Sequence, residues 1–305
     1  MITAAHIHIG APGEDGPPVR TLFSGADTTD TDLTYSGIWT TTDAEPLTAN
    51  LVNELIAGNL YVNVHTDSFG PGEVRGQIVA PEQPAKLLLS EFAVTPTDAE
   101  MIEIYNPGSS AIDLTNYYLT DATFQNGGTF YYQIVNGPEE GGGGGFGDFH
   151  ARFPEGASIA AGEYQTIALG GDSAFAANYG VDPTYELFED GSNNPNDRPN
   201  MREARNGLVD GQGGLTDGDE VIILHYWDSL SDLVVDLDYV IYDDSSPANN
   251  EQVDKTGVRI DGPDADTDSS DYLADTPINE QIPAPTATAS TTSQRIDFSE
   301  GNQIA

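Results

Sequence analysis

Three histidines offer the sharpest chemistry in this sequence. His6 and His8 form an H-x-H pair in AAHIHIG, and His65 follows in YVNVHT. Residues two apart on a strand share a face. His6 and His8 therefore project together, opposite Ile7 and Ile9, and His65 lies on the non-aliphatic side of a strand whose other side carries Val62 and Val64. If the two strands are neighbours, three imidazoles converge on one point, and imidazole nitrogen suits zinc or copper. The simpler reading has the same rings bonded to loop backbone or facing water. A second metal candidate is DGPDADTDSSD, where Asp264, Asp266 and Asp268 alternate and Asp271 follows. Hard oxygen donors in that rhythm suit calcium, but Ser269 stands where such a loop wants glycine, so a solvated acidic loop is the alternative.

Other constellations are weaker. Glu73 and Arg75 in GEVRG lie two apart and read as a structural ion pair, or as neighbours of His65. Asp236 and Asp238 flank Leu237 and offer two carboxylates for acid/base work, or two ladder partners. His150 and His225 stand singly and read as structural or exposed. Tyr105, Tyr117, Tyr118, Tyr131 and Tyr132 read as core and edge aromatics, with a ligand-stacking strip as the alternative. Gly142, Gly144 and Gly147 match GxGxxG inside a glycine run that follows no strand-to-helix unit, so the match is accidental. GxxxxGK[ST], HExxH and GxSxG do not occur.

Composition narrows the partners. Ten Lys and Arg against fifty Asp and Glu leave a formal net charge of −40. Nucleic acid is excluded as a partner by this balance, because affinity there rests on cationic contacts to phosphate, and anionic membrane surfaces are repelled. Divalent cations, cationic partners or a salty medium fit. The absence of cysteine removes disulfides, thiolate metal sites and cysteine nucleophiles. No apolar window is long enough to span a bilayer, and no basic-then-apolar leader is visible.

The elements that must position these residues are mostly strands. Ala4–Ile9, Val19–Phe23, Leu33–Trp39, Leu60–Thr66 and Val74–Val79 read as strands of a first unit over residues 1–80. Between them, Leu47, Leu51 and Leu55 recur at helical spacing, with Thr48 as N-cap and Gly58 as stop. APEQPAK forms a linker over 81–86. A second unit over 87–245 opens with LLLSEF, MIEIY, the turn NPGS and then IDL. It continues with strands over Thr129–Val135, Glu163–Leu169, Glu220–Tyr226 and Leu233–Tyr242, a short helix over Ser173–Tyr179, and loops over Gly137–Gly147 and Asp190–Arg205. Residues 246–305 read as an acidic, Pro/Thr-rich extension, with one short strand near Val258–Ile260 and Ile282–Thr292 extended or without structure.

Two family resemblances lie on these residues. AAHIHIGAPGEDGPPV, a helix and NLYVNVHTDSFGPGEVRGQI resemble the C-terminal part of a chordin-type (CHRD) domain, covering roughly residues 3–79 and including Glu73 and Arg75 in its motif. Earlier strands of such a domain are missing, so Met1 is expected to be an internal start, and the C-terminus likewise reads as cut. EMIEIYNPG, ASIAAGEY and VVDLDYVIY resemble the lamin-tail domain (LTD), with Tyr117 or Tyr118 in place of that family's usual Trp. Together they imply an all-β chain: a partial CHRD β-sandwich with one helix, then an immunoglobulin-like sandwich with loop insertions. The resemblance implies a non-enzymatic binding or structural module, extracellular or on a cell surface, with a protein or surface glycan as partner and no membrane insertion. Two alternatives stay open. The modules are accessories of a larger secreted hydrolase, a nuclease or phosphatase, or the histidines form a metal site of their own. The cofactors in question are calcium, and zinc or copper.

Overall fold

The computed structural model describes residues 1–28, 37–78, 84–123, 129–136, 148–188, 198–205, 214–218, 220–242, 252–264, 267–285 and 291–299. The chain divides into two compact units, Met1–Gln83 and Pro84–Ala305.

Among the described residues, the first unit is an antiparallel sheet of four strands in the order β2-β1-β3-β4. These are β1 (Ile2–Ile9), β2 (Pro18–Thr28), β3 (Leu60–Thr66) and β4 (Val74–Ile78). Pairing sets Ala4 opposite His65, His6 opposite Asn63 and His8 opposite Tyr61. Directly paired residues share a face, so the alternation in both strands gives one aliphatic face with Ile7, Val62 and Val64, and one polar face with all three histidines. Helix α1 (Ala49–Ile56) starts where Thr48 Oγ1 accepts a hydrogen bond from the Leu51 N–H, satisfying an otherwise orphaned donor. It stops before Gly58, whose φ of +70° favours glycine. The strand expected over Leu33–Trp39 falls largely outside the described residues, and Gly37–Trp39 form no strand.

The second unit contains β5 (Leu88–Ala93), β6 (Met101–Tyr105), β7 (Ile112–Asp113), β8 (Tyr117–Thr120), β9 (His150–Arg152), β10 (Ser158–Ile159), β11 (Tyr164–Ala168), β12 (Tyr185–Glu186) and β13 (Arg202–Glu203). It continues with β14 (Glu220–Tyr226), β15 (Val235–Tyr242), β16 (Arg259–Ile260), β17 (Ser270–Asp271) and β18 (Ser293–Gln294). Helix α2 (Asp172–Tyr179) ends at Gly180, which takes the left-handed conformation. The described strands form two main sheets, β12-β11-β6-β5-β18 and β13-β9-β8-β14-β15. Ile102, Ile104 and Ile167 from the first share a core with Leu119, Ile222, Leu224 and Leu237 from the second.

Strand β14 explains the layering. Its run Val221-Ile222-Ile223-Leu224 is apolar at every position and buried throughout, which requires cover on both faces. Ile222 and Leu224 face the inter-sheet core, while Val221 and Ile223 enter a second cluster with Tyr118, Tyr131, Ile241, Val253, Ile260 and Tyr272. The acidic segment after residue 246 therefore does not stand apart. Its described residues fold onto the second unit, supplying Val253, Ile260 and Tyr272 to that outer face and β18 to the edge of β5. The expectation of a strand over Thr129–Val135 is corrected: Tyr131–Val135 is a short 3-10 helix. Tyr131, Tyr132, Ile134 and Val135 are all buried, and a half-exposed strand cannot bury neighbours on both of its faces. Arg202–Glu203, inside a stretch expected to be loop, pairs with β9.

Candidate metal centre

The polar face of the first sheet gathers the three histidines because β1 and β3 are hydrogen-bonded neighbours. His6 Nδ1 lies 3.1 Å from His65 Nε2. His8 Nδ1 is 2.8 Å from the Gly16 carbonyl and His65 Nδ1 is 2.8 Å from the Gly70 carbonyl. A carbonyl oxygen only accepts, so both of those Nδ1 atoms carry the proton, and both Nε2 atoms keep a lone pair. One nitrogen of each ring lies within 4.8 Å of one from each of the others. His8 is buried, His6 and His65 are half-buried, and His8 Nε2 has no hydrogen-bond partner.

Local sequence builds this arrangement. A Cβ added to Gly16 would meet the Ile9 carbonyl oxygen at 1.6 Å, so only glycine lets the loop approach β1 and present its carbonyl to His8. Tyr61 stacks on His8 with ring centroids 5.1 Å apart, and the Arg75 guanidinium lies 3.5 Å over the Tyr61 ring. Burial, then the neighbouring His65 and His8, hold His6 below its ordinary value, against the attraction of Glu45. The Glu45 carboxylate is itself pinned by the Thr21 N–H at 2.6 Å. The centre thus has nitrogen donors of fixed tautomer and a carboxylate charge nearby.

Comparison with known proteins finds two family models along the chain. Residues 1–78 match the CHRD domain model and residues 80–228 match the Lamin Tail Domain model. The chain joins a CHRD domain to a lamin tail domain. No curated relative matches it. A crystal structure of a DUF4876 family protein from Bacteroides thetaiotaomicron is similar at 12% identity with a TM-score of 0.30, covering 82% of this chain and 75% of that one. The lamin tail match places an immunoglobulin-like β-sandwich on the second unit and ends before β15, which completes the same sheet.

Within the CHRD domain, Glu73 and Arg75 do not pair with each other. Glu73 accepts from Thr66 Oγ1 at 2.6 Å, while Arg75 donates to the carbonyl of Glu14 at 2.7 Å and lies 3.6 Å from Asp15. Arg75 thereby ties the turn after β1 to β4 and flanks the histidine face through Tyr61.

The acidic run is not gathered as its alternation implied. Asp266 lies outside the described residues, as do Gly142, Gly144 and Gly147. Asp264 clusters with Asp232 and Asp261. Asp271 belongs to β17, opposite Arg259. Asp232 accepts from the Gly262 N–H and from Ser270 Oγ, so it reads as a loop clamp.

Asp236 and Asp238 do not act as a pair. A register shift between Leu224 and His225 sets Asp238 opposite Leu224 and Asp236 opposite His225, adjacent residues of β14 that point to opposite faces. Asp238 accepts from the Leu89 N–H at 2.7 Å and pairs with Arg295 at 2.5 Å. Asp236 accepts from Tyr131 and pairs with Lys255. Of the five tyrosines, Tyr117, Tyr118, Tyr131 and Tyr132 are buried core aromatics, and Tyr105 stacks on Tyr164 at the surface.

His150 and His225 are not isolated. They sit fully buried with Nε2 atoms 2.8 Å apart, and Tyr118 stacks on His225 with centroids 4.9 Å apart. Sequence reading missed this pair because 75 residues separate its members, and the pairings of β8 with both β9 and β14 create it. The signal available was a polar residue at the end of the apolar run VIILH. Burial first, then His150, holds His225 well below its ordinary value. The unfolded chain therefore binds a proton below about pH 6.5 that the folded chain refuses, so stability falls as pH drops through that value. Denaturant titrations of the parent and of His150→Leu/His225→Phe from pH 7 to pH 5 are expected to show this loss as a growing difference between the two proteins.

Proposed function

We propose that the chain is a non-catalytic binding module outside the cell or on its surface, and that its CHRD domain binds a late first-row transition metal through His6, His8 and His65. CHRD and lamin tail domains are module types of binding or structural character, and among the described residues no helix is long and apolar enough to cross a membrane. The observation that carries the metal reading is His8 Nε2. It is a buried lone pair without a partner, on a ring whose other nitrogen is locked by a backbone carbonyl, the usual outer-shell arrangement of a metal-binding histidine.

Nitrogens on one zinc ion at about 2.0–2.1 Å stand roughly 3.4 Å from each other. His6 Nδ1 donates to His65 Nε2 at 3.1 Å, because the His65 Nδ1 proton is held by the Gly70 carbonyl; an ion takes the place of that proton, and rotation of the half-buried rings brings in the third nitrogen. Three neutral imidazoles suit zinc or copper better than calcium or magnesium. The −40 charge suits a cation-rich medium.

Calorimetric titration of the purified chain with Zn(II) and with Cu(II) is the test. One equivalent of one of these ions is expected to bind. A hundredfold excess over Kd is expected to stabilise the CHRD unit by about 2.7 kcal/mol. His8→Ala is expected to remove both effects, and binding is expected to weaken as pH falls and protons compete. Absence of heat and of thermal shift with both ions would overturn the metal reading.

A further inference from the structure

Lys255 is one of two lysines in the chain, and it is buried. Its Nζ lies 2.5 Å from Asp236 Oδ2 and 3.1 Å from Asp275 Oδ2. The Tyr131 hydroxyl sits 2.8 and 2.7 Å from the two oxygens of Asp236 and 3.3 Å from Nζ. The rings of Tyr131 and Tyr272 wall the ammonium at 5.9 and 5.5 Å. An amine, a carboxyl polarised by a hydroxyl donor, and a second carboxylate thus meet under aromatic cover within the second unit.

We infer that this is a self-modification site, where Lys255 Nζ and the Asp236 side chain condense to an intramolecular amide. Asp275 takes a proton from the ammonium, and the freed Nζ pair attacks Asp236 Cγ. The Nζ–Cγ bond forms and one Cγ–O bond breaks. The departing oxygen leaves as water, carrying both protons released by the ammonium, one of them relayed through Asp275. An ammonium and a carboxylate enter and a neutral amide and water leave, so no oxidant or other reactant is required. Two effects favour the step. The groups are held in contact, which replaces a bimolecular encounter by a positioned one. The product removes two charges from a site where burial works against the ammonium, although Asp236 and Asp275 hold its proton in place beforehand. The bond would join β15 to the segment that covers the outer face, in a chain without cysteine.

Intact mass of the purified full chain, measured under denaturing conditions, decides the matter. The expected mass is one water below that of the sequence, with a branched peptide joining the segments around Asp236 and Lys255. After denaturation an amine reagent is expected to label Lys86 and the N-terminus and to spare Lys255. Lys255→Arg and Asp236→Ala are each expected to restore the full mass, and Asp275→Ala to slow or stop the loss. A wild-type mass equal to the sequence, with Lys255 labelled, overturns the inference and leaves an ordinary buried ion pair; this readout does not depend on any variant folding.

Discussion

Replacing Arg295 by alanine is expected to lower the stability of the second unit by about 3–5 kcal/mol, the range found when one member of a buried ion pair is removed. Arg295 directly follows β18. Its Nη2 lies 2.5 Å from Asp238 Oδ2 and its Nε donates to the Leu89 carbonyl at 2.8 Å. The Asp238 side chain is only 4% exposed, against 22% for Arg295. Removing the guanidinium therefore strands a carboxylate where water cannot replace the lost cation. Adding Asp238→Asn to that variant is expected to recover most of the loss, because a neutral amide needs no counterion. Urea denaturation of the four proteins of this cycle measures the coupling. A loss below 1 kcal/mol for Arg295→Ala would mean that the ion pair with Asp238 adds little to the sandwich.

The second large effect concerns Glu100, which is 1% exposed and accepts the Leu215 N–H at 2.7 Å. Burial pushes this carboxyl up to about 8, with the hydrogen bond from Leu215 opposing and the charge of Asp217 adding to the rise. The sign is opposite to that of the histidine pair. Between its ordinary value of 4.5 and about 8, the folded chain holds a proton that the unfolded chain releases. Stability from this group is complete below the lower value and is lost as pH rises through the window, at up to about 1.4 kcal/mol per pH unit. Glu100→Gln keeps an oxygen for Leu215 and cannot ionise. It is expected to be more stable than the parent at pH 8, equal near pH 4.5, and nearly flat between. Thermal unfolding across that range checks it; a Gln variant that tracks the parent at every pH would place the shift elsewhere. Between about pH 4.5 and 6.5 the histidine and Glu100 slopes oppose each other, and above about pH 6.5 only the Glu100 loss runs, so these two sites together place the maximum below about pH 6.5.

Much of the molecule follows from local pattern. Alternation in AAHIHI and YVNVHT determined that the histidines share the polar side of their strands, since side chains on a strand repeat every two residues. Thr48 and Gly58 determined the limits of α1 through cap chemistry alone. The continuous apolar run of β14 required cover on both faces, though not which segment supplies it. Tertiary structure decided the rest. Antiparallel pairing of β1 with β3 brought His65 to His6, and a glycine loop set the tautomer of His8; neither register nor loop closeness is encoded in a window of neighbouring residues. His150 with His225, Lys255 with Asp236 and Arg295 with Asp238 are likewise contacts between distant segments. In each, the cost of burying a polar group is offset only by a partner that folding delivers.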